Sequence, residues 1–143
     1  MKLYTIGYGN NKPDDFIARL KANDISHVFD VRRKDSRSWC SSYAHGHPMR
    51  SLLAKHNIEY IELDYLANHY DTLDGYKAWL NSIYGAREIR IALRVLMGLK
   101  GTAGEMFTPC LLCAELDPEK CHRKIVAEAL SSEFKQEWEV VHL

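Results

Sequence analysis

Two cysteines, a glutamate, a histidine and an arginine crowd one segment, LLCAELDPEKCHRK, from Leu111 to Lys124. Thiols and imidazoles are zinc ligands, a thiolate is a nucleophile, and a guanidinium beside a helix start suits an anion. A plainer reading competes with all three: an apolar strand meets an amphipathic helix, and Cys113 and Cys121 are core residues. Spacing weighs against zinc. Cys110 and Cys113 sit in an apolar run that reads as a strand, so their side chains point to opposite faces. The set Cys110, Cys113, Cys121 and His122 then cannot close on one ion, and neither a metal nor a cofactor is expected. A thiol role would draw on Cys121 near the first turns of a helix, where the dipole lowers a thiol's pKa. Cys121, however, recurs with Ile125 and Ala129 at i+4 steps, which turns it toward the sheet.

Charged residues at strand ends are harder to read as core. In HVFDVR, Asp30 alternates with Val28 and Arg32 on one strand face, so it is partly buried and needs a partner. Arg32, Arg33, Lys34 and Arg37 make a basic loop suited to phosphate or carboxylate, or simply to solvent. Glu115 follows Cys113 at the strand end and can meet Arg123 or His122 across the turn. Tyr8, between Gly7 and Gly9, can stack on a base or cover a crevice. The glycines do not form GxGxxG, and no Walker, HExxH or GxSxG motif is present.

The elements that must position these groups follow from periodicity. Leu3 to Ile6 reads as a first strand, and Pro13 opens a helix with Phe16, Ile17 and Leu20 on one face and Asn23 as its left-handed cap. His27 to Arg32 is a second strand, and residues 33 to 46 read as a loop. Pro48 opens a second helix that Asn57 caps, and IEYIEL is a third strand. One helix then carries Tyr76, Trp79, Leu80 and Ile83, and another runs from Glu88 to Leu99, with a bend near Gly85. Thr108 to Ala114 is a fourth strand, Asp117 and Pro118 open a last helix, and WEVVHL closes as a fifth strand.

Strands alternating with helices imply a parallel sheet, here one three-layer, Rossmann-like α/β domain over residues 1–143. Right-handed crossovers and one long two-helix connection predict the order 3-2-1-4-5, with a switch point between strands one and four. Ligands of such sheets bind beyond the carboxyl ends of the strands. The crowded segment therefore falls at the expected mouth.

Composition narrows the partners. Lys plus Arg equals Asp plus Glu at 19 each, so nucleic acid is not favoured as a general partner. No run reaches the length of a membrane helix, and four cysteines without a dense framework suit reduced thiols in the cytoplasm.

Together, TIGYGN, DVRRKDSR, LLCAELDPEKCHR and the closing VVHL resemble the domain-of-unknown-function 488 family. The resemblance implies a compact bacterial or archaeal α/β domain without an assigned activity, although some members carry a DNA-repair label. Its pattern maps onto Thr5, Gly7, Asp30, Arg32, Ser36, Arg37, Cys113, Glu115, Cys121, His122 and Arg123. Cys110 lies outside that pattern, and Asp35 stands where proline is common.

The expectation is an enzyme for a small anionic, phosphorylated or nucleotide-like substrate. Gly7, Tyr8, Arg32, Arg37 and Arg123 would bind it. Glu115 and His122 would move protons, Asp30 would orient an arginine, and Cys113 would stand at the reacting centre. The alternative is a non-catalytic nucleotide or nucleic-acid-binding module with Tyr8 stacking.

Overall fold

The structure, a computed structural model, describes residues 1–33, 42–133 and 138–143. Ser36, Arg37 and Cys40 therefore lie outside the described residues. The described residues form five strands and five α-helices, which alternate except that two helices follow the third strand. In chain order they are β1 (Lys2–Gly7), α1 (Pro13–Lys21), β2 (His27–Asp30), α2 (Gly46–Ala54), β3 (Glu59–Glu62), α3 (Leu73–Leu80), α4 (Ile83–Ala103), β4 (Pro109–Cys113), α5 (His122–Glu133) and β5 (Glu139–His142). No helix among the described residues is long and apolar enough to cross a membrane.

Local chemistry explains most of the boundaries. Pro13 starts α1, with Asp14 and Asp15 in the first turn and Arg19 and Lys21 in the last, as the helix dipole favours. The left-handed residue after α1 is Asp24, at φ 53°, rather than Asn23; Asn57 takes that conformation after α2, at φ 57°. Thr72 and Ser82 cap α3 and α4 by accepting from the N–H of Gly75 and Gly85. Because Ser82 starts α4 afresh, the expected bend falls just before Gly85, and the helix then runs unbroken for 21 residues.

All five strands are parallel, and their order is β3-β2-β4-β1-β5. The α/β class and the pairing of β1 with β4 agree with the periodicity reading. The predicted order 3-2-1-4-5 does not, because β4 enters between β2 and β1. The connection through α1 crosses over β4, and the one through α5 crosses over β1. Side-chain polarity accounts for the difference: β1 carries Lys2 and Thr5 and β2 carries His27 and Asp30, whereas β4 is apolar throughout. Every residue of β4, PCLLC, is buried, and a strand apolar on both faces belongs at the centre of a parallel sheet.

Two cores flank the sheet. Ile6, Val28, Cys110 and Leu112 pack with Phe16 and Leu20 of α1 and Met49 and Leu53 of α2. Leu3, Phe29, Val31 and Leu111 pack with Tyr76, Ile89, Leu96, Val126 and Leu130 from α3, α4 and α5. The chain thus leaves the adjacent strands β1 and β4 over opposite faces, and the switch point stays between their carboxyl ends.

Candidate functional site at the carboxyl ends of β1 and β4

Gly7 pairs with Cys113 at the end of the β1–β4 ladder, and Tyr8 and Gly9 extend it by donating to the carbonyls of Cys113 and Ala114. The alternation along β4 puts Cys110 among the α1 and α2 side chains and sends Cys113 to the other face. There Cys113 meets Cys121 and His122. The Cys113 Sγ is 3.9 Å from His122 Nδ1, and the Cys121 Sγ is 4.0 Å from the same nitrogen. All three residues are buried, at 6%, 3% and 7% exposure.

The turn before α5 makes this convergence. Asp117 accepts from the N–H of Glu119 and starts a single 3-10 turn over Pro118–Lys120, after which Cys121 is extended, at φ −129° and ψ 139°. Cys121 therefore precedes the helix instead of lying in its first turns, as the sequence spacing predicted. Its thiol turns back to Cys113, while His122, the first residue of α5, sets its Nε2 2.8 Å from the Val31 carbonyl. A carbonyl can only accept, so Nε2 carries the proton and Nδ1 offers a lone pair to the two sulfurs. The Tyr76 ring stands edge-on to the imidazole at 5.1 Å and closes the far side.

The three described thiols differ in their titration. The Cys121 thiol, and then the N–H groups of Ala114 and Glu115 and the charge of Arg123, hold Cys113 below the ordinary thiol value against its burial. Cys121 is pushed up by its bond to Cys113 and by burial, and Cys110 is pushed up by burial.

Arg123 is fully buried. Its Nε donates to Thr5 Oγ1 at 3.2 Å, its Nη2 to the Leu116 carbonyl at 2.9 Å, and its Nη1 to the Glu115 carbonyl. Glu119 pairs instead with Lys124, at 2.5 Å. On the other face of β1, Arg19 donates to the Gly7 carbonyl at 2.8 Å and to Asn11 Oδ1 at 2.6 Å. Among the described residues neither arginine has a carboxylate partner. Burial, and then the charge of Arg123, lowers the pKa of Arg19. Two guanidinium groups thus flank Gly7 and raise the potential at the end of β1.

Asp30 and Arg32 form a second buried group, on the α1 and α2 side. Arg32 meets both Asp30 oxygens, at 2.9 and 2.8 Å, and donates to the Ala44 carbonyl at 2.6 Å. Tyr60 donates to Asp30 Oδ2 at 2.5 Å, and the Arg32 guanidinium lies over the Tyr8 ring at 5.2 Å. Burial works against the Arg32 charge, but the bonds and charge of Asp30 outweigh it and raise its pKa. Asp30 is wholly buried by this pairing, and Arg32 lies on the opposite face from Arg123. The structure brings Cys113, His122 and Arg123 to one side of the crest and does not bring Arg32 to them. Glu115 is exposed beyond Cys113, with its carbonyl on Arg123. Sequence reasoning missed Arg19, Tyr60 and Tyr76. The spacing of Arg19 from Phe16, which puts both on one helix face, is the signal that pointed to it.

Thr5 links Arg123 to the edge strand. Its oxygen accepts from Arg123 and lies 2.6 Å from His142 Nδ1. Burial, then the charge of Arg123, lowers the pKa of His142, and burial lowers that of His27. A histidine whose folded value lies below its unfolded 6.5 takes up its proton first in the unfolded chain. The stability it supports is full above the unfolded pKa and declines as pH falls through it toward the folded value. The urea midpoint should therefore drop from about pH 7 to about pH 5.5. The double variant His27→Asn/His142→Asn should flatten that drop; an unaltered slope would exclude these two imidazoles as its cause.

A buried sulfur–imidazole cluster beside arginines, at the switch point of an open parallel sheet, defines an α/β domain with one candidate site at its strand ends. Over residues 12–130 the sequence matches the family described as Domain of unknown function DUF488, and the chain belongs to that family. Asp30, Arg32, Cys113, Glu115, Cys121, His122 and Arg123 fall within the match, and Thr5 and Gly7 precede it. No curated protein and no solved structure matches the chain.

Proposed function

We propose that the protein is an enzyme acting on a small anionic, phosphorylated or nucleotide-like substrate at the carboxyl ends of its strands. One observation carries the reading: the wholly buried Arg123 and the half-buried Arg19 stand on the two faces of β1 at Gly7, neither meets a carboxylate among the described residues, and Arg123 shares its face with Cys113 and His122. Buried charge is costly unless it is compensated, and a bound anion would supply the compensation. Cys113 and the Nδ1 of His122 are the reacting groups, and Glu115, exposed at the rim, is placed to exchange protons with solvent. Asp30 and Arg32 hold the strand end and the Tyr8 ring in place instead of touching the substrate.

Thermal shift against inorganic phosphate, mononucleotides and sugar phosphates, followed by a turnover assay on any stabilising compound, tests this. One class should raise the melting temperature saturably and be converted. Arg19→Gln should weaken that ligand by about 1.5–3 kcal/mol, as expected for losing a hydrogen bond to a charged group. No stabilisation by any of these anions would sink the reading. Binding only to oligonucleotides, with a steep salt dependence, would establish the non-catalytic module in its place.

A further inference from the structure

We propose that Cys113, Cys121 and His122 form a binding site for a soft divalent metal ion of the zinc class, with one coordination position left open. Two Sγ atoms and one Nδ1 all lie within 4.8 Å of one another, with sulfur–nitrogen separations of 3.9 and 4.0 Å. Bond lengths of about 2.3 Å to sulfur and about 2.0 Å to nitrogen in a tetrahedron require edges of about 3.6–3.8 Å. Small side-chain rotations bring the three atoms to that spacing. Cys110, which defeated the four-ligand set at the level of spacing, takes no part, because it faces the opposite core.

The surroundings are already those of a ligand set. Metal-bound imidazoles have their other nitrogen held by a carbonyl or carboxylate, which fixes the tautomer. His122 has that arrangement, with Nε2 on the Val31 carbonyl at 2.8 Å and Nδ1 turned to the sulfurs. Charge fits as well. Two thiolates and one divalent ion sum to zero, so the complex can lie in a pocket whose members are at most 7% exposed.

Of the three ligands, Cys121 borders open space. Cys121 lines a cavity of about 210 Å³ between α3 and α5, where the carboxylates of Asp74, Glu119 and Glu128 outnumber the amines of Lys77 and Lys124. Three protein ligands and an open fourth position are the pattern of catalytic zinc, whereas structural sites are closed by four. For the role of the open position the proposal rests on the anionic-substrate part of the reading above, since that position would take water or an oxygen of the substrate; with the ion bound, Cys113 and His122 hold it and are no longer the reacting groups. Binding of the ion itself does not depend on it.

The test is a titration of the full chain, stripped by a chelator and kept under a phosphine reductant, with Co(II). One equivalent should produce thiolate-to-cobalt charge-transfer absorption and the intense visible bands of a four-coordinate ion, and zinc should displace it. Cys110→Ser should retain both signals. Cys113→Ser and Cys121→Ser should each lower the affinity by more than the about 10–100-fold that loss of an outer partner costs. Because the wild-type spectrum carries the result, misfolding of a variant does not mask it. No stoichiometric binding by the reduced wild type would overturn the site, as would loss of the signals in a Cys110→Ser protein whose circular dichroism and urea transition are those of a folded chain. Inorganic phosphate separates the two readings. Cobalt bands that ignore phosphate and every screened anion would leave the metal site standing without that substrate class. Saturable anion binding by a chain that takes up no cobalt would do the reverse.

Discussion

Asp30→Ala is expected to destabilise the protein by about 3–5 kcal/mol, the range for removing one partner of a buried ion pair. The Asp30 side chain is 0% exposed and the Arg32 side chain 2%, so solvent cannot take over the contact. The carboxylate accepts from the Arg32 backbone N–H as well as from its guanidinium, and it also accepts from Tyr60. Alanine leaves a desolvated cation and a buried phenol short of their acceptor. Replacing both partners by apolar residues, as in Asp30→Leu/Arg32→Met, should recover much of the loss, since a buried pair is often no better than hydrophobic packing of the same volume. Urea denaturation of the two variants and the wild type measures both numbers. A cost below about 1 kcal/mol for Asp30→Ala, typical of an exposed pair, would mean that the pair is open to water in solution.

Gly7→Ala should be of comparable severity, for a steric reason. A Cβ on Gly7 would lie 1.7 Å from the Glu115 carbonyl oxygen, 2.5 Å from its carbon and 3.0 Å from Arg123 Nη1. Overpacking commonly costs about 1–3 kcal/mol and occasionally more. Here the obstacle is backbone, and the loop after Cys113 must move, so about 3 kcal/mol or more is expected. The displaced loop would also take Glu115 and Leu116 away from Arg123. The control is Gly98→Ala in α4, where nothing lies within 4 Å and the helix should gain about 0.5–1 kcal/mol. If Gly7→Ala melts with the wild type while Gly98→Ala shows its gain, the close approach at the strand end does not exist in solution.

Particular residues show how far sequence reading reached. Period-two alternation put Asp30 and Arg32 on one face and Cys110 and Cys113 on opposite faces, and both placements follow from strand geometry alone. The convergence of Cys121 on Cys113 did not follow, because it depends on where a helix begins. Asp117 and Pro118 can open an α-helix or a single 3-10 turn, and only the second leaves Cys121 extended and facing the sheet. Strand order was half legible. The long connection from β3 announced a return across the sheet, but length does not say how many positions the chain passes. The wholly apolar CLLC, set against Lys2 and Thr5 in β1, was the sign that β4 takes the centre. Arg19 was missed because a basic residue in a last helical turn is ordinary, and its contact with Gly7 exists only after the fold forms.

The strand order has a consequence in time. β1 leaves the ribosome before the other four strands of the sheet, yet its two neighbours are β4 and β5, residues Pro109–Cys113 and Glu139–His142. β2 and β3 can pair as soon as β3 has been made, while β1 must wait for more than a hundred further residues to be synthesised. Contacts of such sequence separation demand loop closure before they return any stability, and they slow folding. During that interval Leu3, Tyr4 and Ile6 have no sheet partner, which makes β1 the strand a chaperone would hold longest.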